Sequence, residues 1–494
     1  MPLSVGICAT ALALITDTTM KLLFLSFDYL TQALGIATLS ALLHQAGHEA
    51  EVAALGDITR QEELLRDFKP DMLCLSLITG QHPLFLDRAR QIKANQPHLI
   101  VLAGGPHPTF YPECISEPCL DAICRGEGDT ALPALVDEVA RNGVMPTFLP
   151  NWWIKQPDGS ISRGEVASLV YDLDQLPFPD RDIFDRARTG DSPVTVFVMA
   201  SRGCPFNCSY CFNHAYRELY RGLGAMCRRR SVQNVISEIN LLRQRYPLQI
   251  IVFQDDTFNL DKNWLREFSI NYSREIGLQF HCHLRADLLD EESAELLRIA
   301  GCLSVKLGLE AGREKVRNGI LKRAMSLEQF EKACALLHRN GIRFATESIL
   351  AVPGTTLDDD LFTYEVNRCV RPHHSFATLM QVYPRTGIAE YALNNGFSNT
   401  QVIDFPATFY EDSTVSISDK EKRGRLRAIF ALGASLNLPV ALVRLLIALP
   451  LRKSFEYVDR LWKGYCLRFR IYPYKQNPGS FIRDVRTYLG GKYY

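Results

Sequence analysis

The stretch ASRGCPFNCSYCFN, residues 200–213, places Cys204, Cys208 and Cys211 within eight residues. Thiolates at this density bind soft metals, either zinc or an iron–sulfur cluster. A closed zinc site takes four ligands, usually from two separated pairs. No second pair lies nearby, and His214 is the only close imidazole. Three thiolates on a four-iron cluster leave one iron open to a substrate or cofactor, and open sites are the catalytic ones. The competing reading is a zinc site completed by His214. The loop follows a strand-like run, VTVFVMA (194–200). Catalytic groups of βα barrels sit at such strand ends.

Downstream, the pattern repeats. IIVFQD, QFHCHLRA, LSVKLGLE, RFATESIL and SFATLMQVY (the last at 375–383) read as strands, separated by helical stretches. Six βα units are too few for a closed eightfold barrel, so an open half-barrel of six strands is expected over 193–395. Upstream, residues 21–141 alternate strand-like runs (KLLFLSF, EAEVAAL, DMLCLSL, LIVLAGG, DAIC) with helical ones. That alternation predicts a doubly wound, Rossmann-like α/β domain with a parallel sheet over 20–145. Between them, 146–192 reads as a hairpin turning at Pro157-Asp158-Gly159 and a linker, DLDQLPFPDRDIF. Residues 396–494 form a basic, mainly helical C-terminal region.

The 494 residues are 47% apolar and 22% charged, with 55 basic and 55 acidic side chains. This balance gives no argument for a nucleic-acid partner. The charge is uneven, because Lys420 to Tyr494 carries 16 Lys/Arg and 4 Asp/Glu, a net +12. Asn437, Pro439 and Arg444 interrupt the apolar stretch 428–449, which argues against a membrane span. The tail therefore covers the open barrel, receives an anionic substrate, or rests peripherally on a membrane surface. The fourteen cysteines do not resemble a secreted disulfide framework, and a reducing cytoplasm is expected. Residues 1–19 are apolar without a basic lead, so Met20 is the expected start.

CPFNCSYC resembles the CxxxCxxC motif of radical S-adenosylmethionine (SAM) enzymes, including the aromatic Tyr210 before the last cysteine. The resemblance spans roughly residues 193 to 395. It implies a [4Fe-4S] cluster on Cys204, Cys208 and Cys211 and SAM chelated by the open iron. Reductive cleavage to a 5′-deoxyadenosyl radical then draws on an electron donor such as flavodoxin or ferredoxin. On the same resemblance Asp255 and Asp256, in FQDDTF, are candidates for the SAM amino group, and Arg285 for its carboxylate. Glu310, in GLEAG, is a candidate for the ribose hydroxyls, and Pro353 and Gly354, in VPGTT, for the adenine. Tyr210 joins this cofactor-binding set.

The N-terminal strand ends LSLITGQH (75–82, with Ser76) and AGGPHPTFYPE (103–113, with Gly104 and Gly105), followed by DAICRGEGD, resemble a cobalamin-binding domain. The linker LPFPDRDIFD resembles the same subfamily. The cobalt-ligating DxHxxG motif is absent, so cobalamin is expected without a histidine on the cobalt. His82 and His107 are expected to shape loops or face solvent. The resemblance implies a cobalamin-dependent C-methyltransferase acting on an unactivated carbon of a small-molecule or lipid substrate. The alternatives are a cyclase or rearrangement enzyme with the same cofactors and, less favoured by the three-cysteine loop, a non-catalytic cobalamin-binding module.

Overall fold

The computed structural model describes residues 19–29, 33–187, 193–398, 405–406, 412–475 and 479. The stretch 1–18 and the tail beyond 475, save Gly479, lie outside the described residues. The first sheet contains β1 (Lys21–Ser26), β2 (Glu49–Ala54), β3 (Met72–Ser76), β4 (Ile100–Gly104) and β5 (Ala122–Cys124), all parallel, in the order β2-β1-β3-β4-β5. The strands are apolar on both faces because helices cover both. Leu22 and Phe24 enter one core, while Leu23 and Leu25 enter the other. Strand order reverses between β1 and β3. Ligands of such sheets bind outside the carboxyl ends at that switch point.

The hairpin does not stand between domains. Its strands β6 (Trp152–Lys155) and β7 (Ile161–Arg163) extend the first sheet antiparallel from β5. Trp152 anchors it, fully buried, with its Nε1 donating to the Ala131 carbonyl at 2.9 Å. The following linker is bonded to both sides. Asp180 accepts from Ser40 at 2.7 Å, and Arg181 donates to Phe197 O at 2.7 Å and to Glu238 at 3.1 Å.

The second sheet has six parallel strands in chain order: β8 (Thr195–Val198), β9 (Ile250–Phe253), β10 (Gln279–Leu284), β11 (Cys302–Glu310), β12 (Arg343–Leu350) and β13 (His374–Leu379). This is the half-barrel expected from the βα count. Phe253, Phe280, Cys282, Leu307 and Phe344 pack outward against the helices. The opposite faces of β10, β11 and β12 place His283, Lys306 and Glu347 inside, and Glu347 keeps 43% of its side-chain surface accessible. β13 stops at Leu379, short of the expected Tyr383. Residues 380–382 instead bond to the returning segment: Ser413 Oγ donates to Met380 O at 2.7 Å, and Val382 N to Thr414 Oγ1 at 3.1 Å.

Three helices follow, Lys420–Ser435, Val440–Ala448 and Arg452–Tyr465. The first packs against β13 through Leu426 and Phe430. Among the described residues no helix is long and apolar enough to cross a membrane. Residues 466–475 then cross the amino ends of the barrel strands. Ser304 donates to Ile471 O at 2.9 Å, Arg343 to Arg470 O at 3.2 Å, and Lys475 N to Gln249 at 2.7 Å.

The two sheets are joined by charge. Arg202 donates to both Asp129 oxygens at 2.7 and 3.0 Å and lies 3.3 Å from Glu127. Arg228 pairs with Glu127 and donates to Val170 O at 2.7 Å. Tyr220 Oη accepts from Glu127 N at 2.7 Å. Removing one member of a largely buried pair leaves the other uncompensated, at a cost of about 3 kcal/mol. Asp129→Ala is therefore expected to raise hydrogen exchange at 126–129 and 200–204. Exchange in the helix 327–339 should stay at wild-type level, as measured by mass spectrometry.

Candidate active site

The cysteine loop is built from its backbone outward. Ser201–Arg202 pairs antiparallel with Arg228–Arg229. Gly203 has φ +87°, and a Cβ there would stand 2.2 Å from Met226 O, so only glycine fits this close crossing. Asp255 lies fully buried at the end of β9. It accepts from Ala200 N at 3.1 Å and from the Ser201 hydroxyl, which fixes the approach to Cys204. On the far side the loop is clamped by the segment after β11. Ser209 donates through its N–H to Leu321 O at 3.0 Å and through its hydroxyl to Ile320 O at 2.8 Å. Arg317, fully buried, holds that segment by donating to Ala311 O, Gly312 O and Met325 O at 2.7–3.0 Å.

The three thiols are free of disulfides. The guanidiniums of Arg285 and Arg323 each reach Cys208 Sγ at 3.8 Å. Two guanidiniums thus stand beside one sulfur. Desolvation raises Cys211 to about 12, so loading this site with metal releases a proton. Among the described residues, no group of three or more His, Cys, Asp or Glu side chains surrounds a point as a lone metal ion needs. The zinc alternative also lacks its fourth donor. His214 Nδ1 donates to Cys211 O at 2.6 Å, and its Nε2 accepts from Gly387 N at 3.2 Å. The donor set fits a cluster, whose thiolates each hold a different iron.

The remaining candidates divide. Glu310 ends β11 with φ +63°, a conformation costly for a non-glycine residue. It lies 3.6 Å from Arg323, which also donates to Tyr210 Oη at 3.0 Å. Desolvation raises the Glu310 carboxyl above its ordinary range against the pull of Arg323. The structure thus brings Tyr210, Glu310, Arg285 and Arg323 together beside Cys208. Arg285 is buried and held by Asp287 through two bonds of 3.0 Å, over the Phe206 ring at 3.5 Å. Asp256, unlike Asp255, faces an open cavity, and desolvation weakens its acidity. Pro353 and Gly354 form a turn beyond β12, with Gly354 at φ +79°. Buried Arg423 of the C-terminal region donates to Thr355 O in that turn at 2.6 Å. Sequence reasoning gave no role to Arg323 or Arg202.

The cavity, about 440 Å³, lies between the carboxyl ends of the first sheet and the cysteine loop. Ser76, Gly104 and Gly105 form one wall; Gly203, Asn213 and Asp256 form the other. Gly105 has φ +97°, and a Cβ there would meet Leu77 O at 2.9 Å. Among the described residues, none that lines the cavity is histidine. His82 and His107 stack on each other at 3.8 Å, buried behind the wall. They shape the loop and do not face solvent; desolvation and the His82 ring lower His107 to about 3. A glycine-walled, largely apolar cavity at the carboxyl ends of this sheet has the shape and chemistry to take a flat macrocycle.

Fold and site define a parallel α/β sheet joined to a six-stranded half-barrel, with a cavity that opens onto the three-cysteine loop. Two family models match in the same order: the B12 binding domain over residues 20–136 and the Radical SAM superfamily over 198–365. The uncharacterized methyltransferase PH0819 of Pyrococcus horikoshii is 26% identical over 371 residues, covering 73% of this chain and 78% of that protein. The anaerobic magnesium-protoporphyrin IX monomethyl ester cyclase of Rubrivivax gelatinosus is 27% identical over 355 residues, covering 68% of this chain and 62% of that one. The radical SAM methyltransferase TsrM from Kitasatospora setae, solved with cobalamin and a [4Fe-4S] cluster bound, shares the fold. Its TM-score is 0.60 at 16% identity, covering 76% and 75% of the two chains. The chain belongs to the cobalamin-binding radical SAM enzymes, whose cofactors are a [4Fe-4S] cluster, SAM and cobalamin.

Replacing Cys204, Cys208 and Cys211 together with Ala should abolish iron incorporation and the visible iron–sulfur absorption; stoichiometric zinc in the wild-type protein would contradict the cluster. Hydrogen bonds and cations at the sulfurs set a cluster's potential. Arg323→Met should therefore retain iron but shift the midpoint potential to more negative values in an EPR-monitored titration. Arg323→Lys should recover part of the shift.

Proposed function

We propose that the protein transfers a methyl group to an unactivated carbon of a small-molecule or lipid substrate. The observation that carries this reading is the single cavity shared by the first sheet's strand ends and the cluster loop. It gives methyl carrier and radical source one common space. When bound, the cluster supplies an electron, SAM the radical and the methyl source, and cobalamin the carrier for that methyl group.

The chain's own residues hold and shield this chemistry. Arg285 and Arg323 balance the negative charge at Cys208. Tyr210 and Glu310, fixed by Arg323, present oxygens for hydroxyl donors. Asp256 offers an acceptor for an ammonium group at the cavity wall. Phe24, Leu102, Phe178 and Met199 line the space and exclude water, which prevents side reactions of a radical. An electron donor of the flavodoxin or ferredoxin class completes the cycle, and the C-terminal region makes peripheral contact with a membrane.

The likeness to the anaerobic cyclase supports one second reading, a cyclisation with the same cofactors and no methyl transfer. Anaerobic turnover with methyl-deuterated SAM separates the two. Methyl transfer predicts product carrying the label, together with S-adenosylhomocysteine and 5′-deoxyadenosine. Unlabelled product of altered mass, without S-adenosylhomocysteine, would sink methyl transfer and favour cyclisation.

A further inference from the structure

The helix Arg452–Tyr465 is amphipathic with its faces reversed. Arg452, Glu456, Asp459 and Lys463 turn toward the protein. Asp459 accepts from Arg427 at 2.9 Å, Glu456 pairs with Arg452 at 2.9 Å and lies 3.6 Å from Arg427, and Lys463 is buried near the Phe376 ring. Its apolar residues turn outward: Tyr457, Val458, Leu461 and Tyr465 are 41–56% exposed. The preceding helix, Val440–Ala448, exposes Leu442 and Leu445, and the connection exposes Leu449 and Leu451. A surface helix in water does the opposite. Single exposed apolar side chains are ordinary, whereas a contiguous group marks a binding face.

Charge identifies the occupant. The only acidic residues of these two helices, Glu456 and Asp459, are both paired inward. Lys453 and Arg460 make no ion pair among the described residues. The outer face is therefore apolar, aromatic and basic. A second copy of the chain would set this basic face against itself, which like-charge repulsion opposes. Anionic lipid complements both parts: apolar side chains enter the acyl boundary, and the cations meet the headgroups. Tyrosines suit that interface. Neither helix can span a bilayer, so the face lies on the surface.

We propose that the outer face of residues 440–465 docks the protein on an anionic membrane surface. This names the surface behind the peripheral contact assigned above, and it stands independently of the methyl-transfer reading.

The test is co-sedimentation of the full-length, anaerobically purified protein with two vesicle types, phosphatidylcholine mixed with phosphatidylglycerol and phosphatidylcholine alone, across a salt series. Recovery is expected with the anionic vesicles and should fall as salt rises. K453Q/R460Q should lower the partition roughly fivefold for each charge removed. Leu445→Ser, Tyr457→Ser and Leu461→Ser combined should abolish recovery while the iron–sulfur absorption is retained. If that triple variant does not fold, K453Q/R460Q and the salt series decide. Negligible recovery of wild type with anionic vesicles overturns the proposal. So does equal recovery with both vesicle types that K453Q/R460Q leaves unchanged. A wild-type dimer in sedimentation velocity that the triple variant converts to monomer, without vesicle recovery, assigns the face to a second copy instead.

Discussion

The contact on which the molecule depends is the charge lattice formed by Arg202 and Arg228 with Glu127 and Asp129. The carboxylates belong to the tight turn after β5, whose glycines line the cavity. Arg202 stands two residues before Cys204. One set of ion pairs therefore positions the cavity wall and the cluster loop against each other, with almost no chain between joint and site. Buried charge pairs are poor sources of net stability, but they penalise misplacement heavily. That suits a joint whose task is registration.

A second constraint comes from the opposite side of the loop. The segment after β11 bonds to Ser209 through the carbonyls of Ile320 and Leu321, and Arg317 ties the two ends of that segment together through Ala311, Gly312 and Met325. The strained Glu310 at the head of this segment persists because its surroundings over-determine it. The cysteine loop is thus gripped between two rigid supports, as a site that must hold three thiolates at fixed separations requires.

Much of this was legible in the sequence, for definite reasons. Apolar runs of strand length, separated by helical periodicity, gave both sheets, and the spacing of Cys204, Cys208 and Cys211 located the loop. Long-range pairings were not legible. Arg323 meets Cys208 across 115 residues, and in sequence it looks like any solvated arginine. Asp255 and Asp256 are adjacent and chemically identical, but just beyond β9 one turns into the backbone of the loop and the other faces the cavity. The hairpin was visible as a hairpin; that it continues the first sheet depended on β5 leaving its outer edge open. In the helix 452–465 the pattern of two faces was readable, but periodicity does not say which face meets the protein.

The floor of the half-barrel is supplied by residues 466–475, which emerge from the ribosome after all six strands. Until then the strands enclose a chamber open to water at its amino end, with Lys306, Glu347 and His283 already inside. A polar lining tolerates that interval without the sticky exposed surface that a hydrocarbon-filled barrel would present. A message cut short after residue 465 would give a product with all six barrel strands and Cys204, Cys208 and Cys211 in place but no floor beneath the chamber.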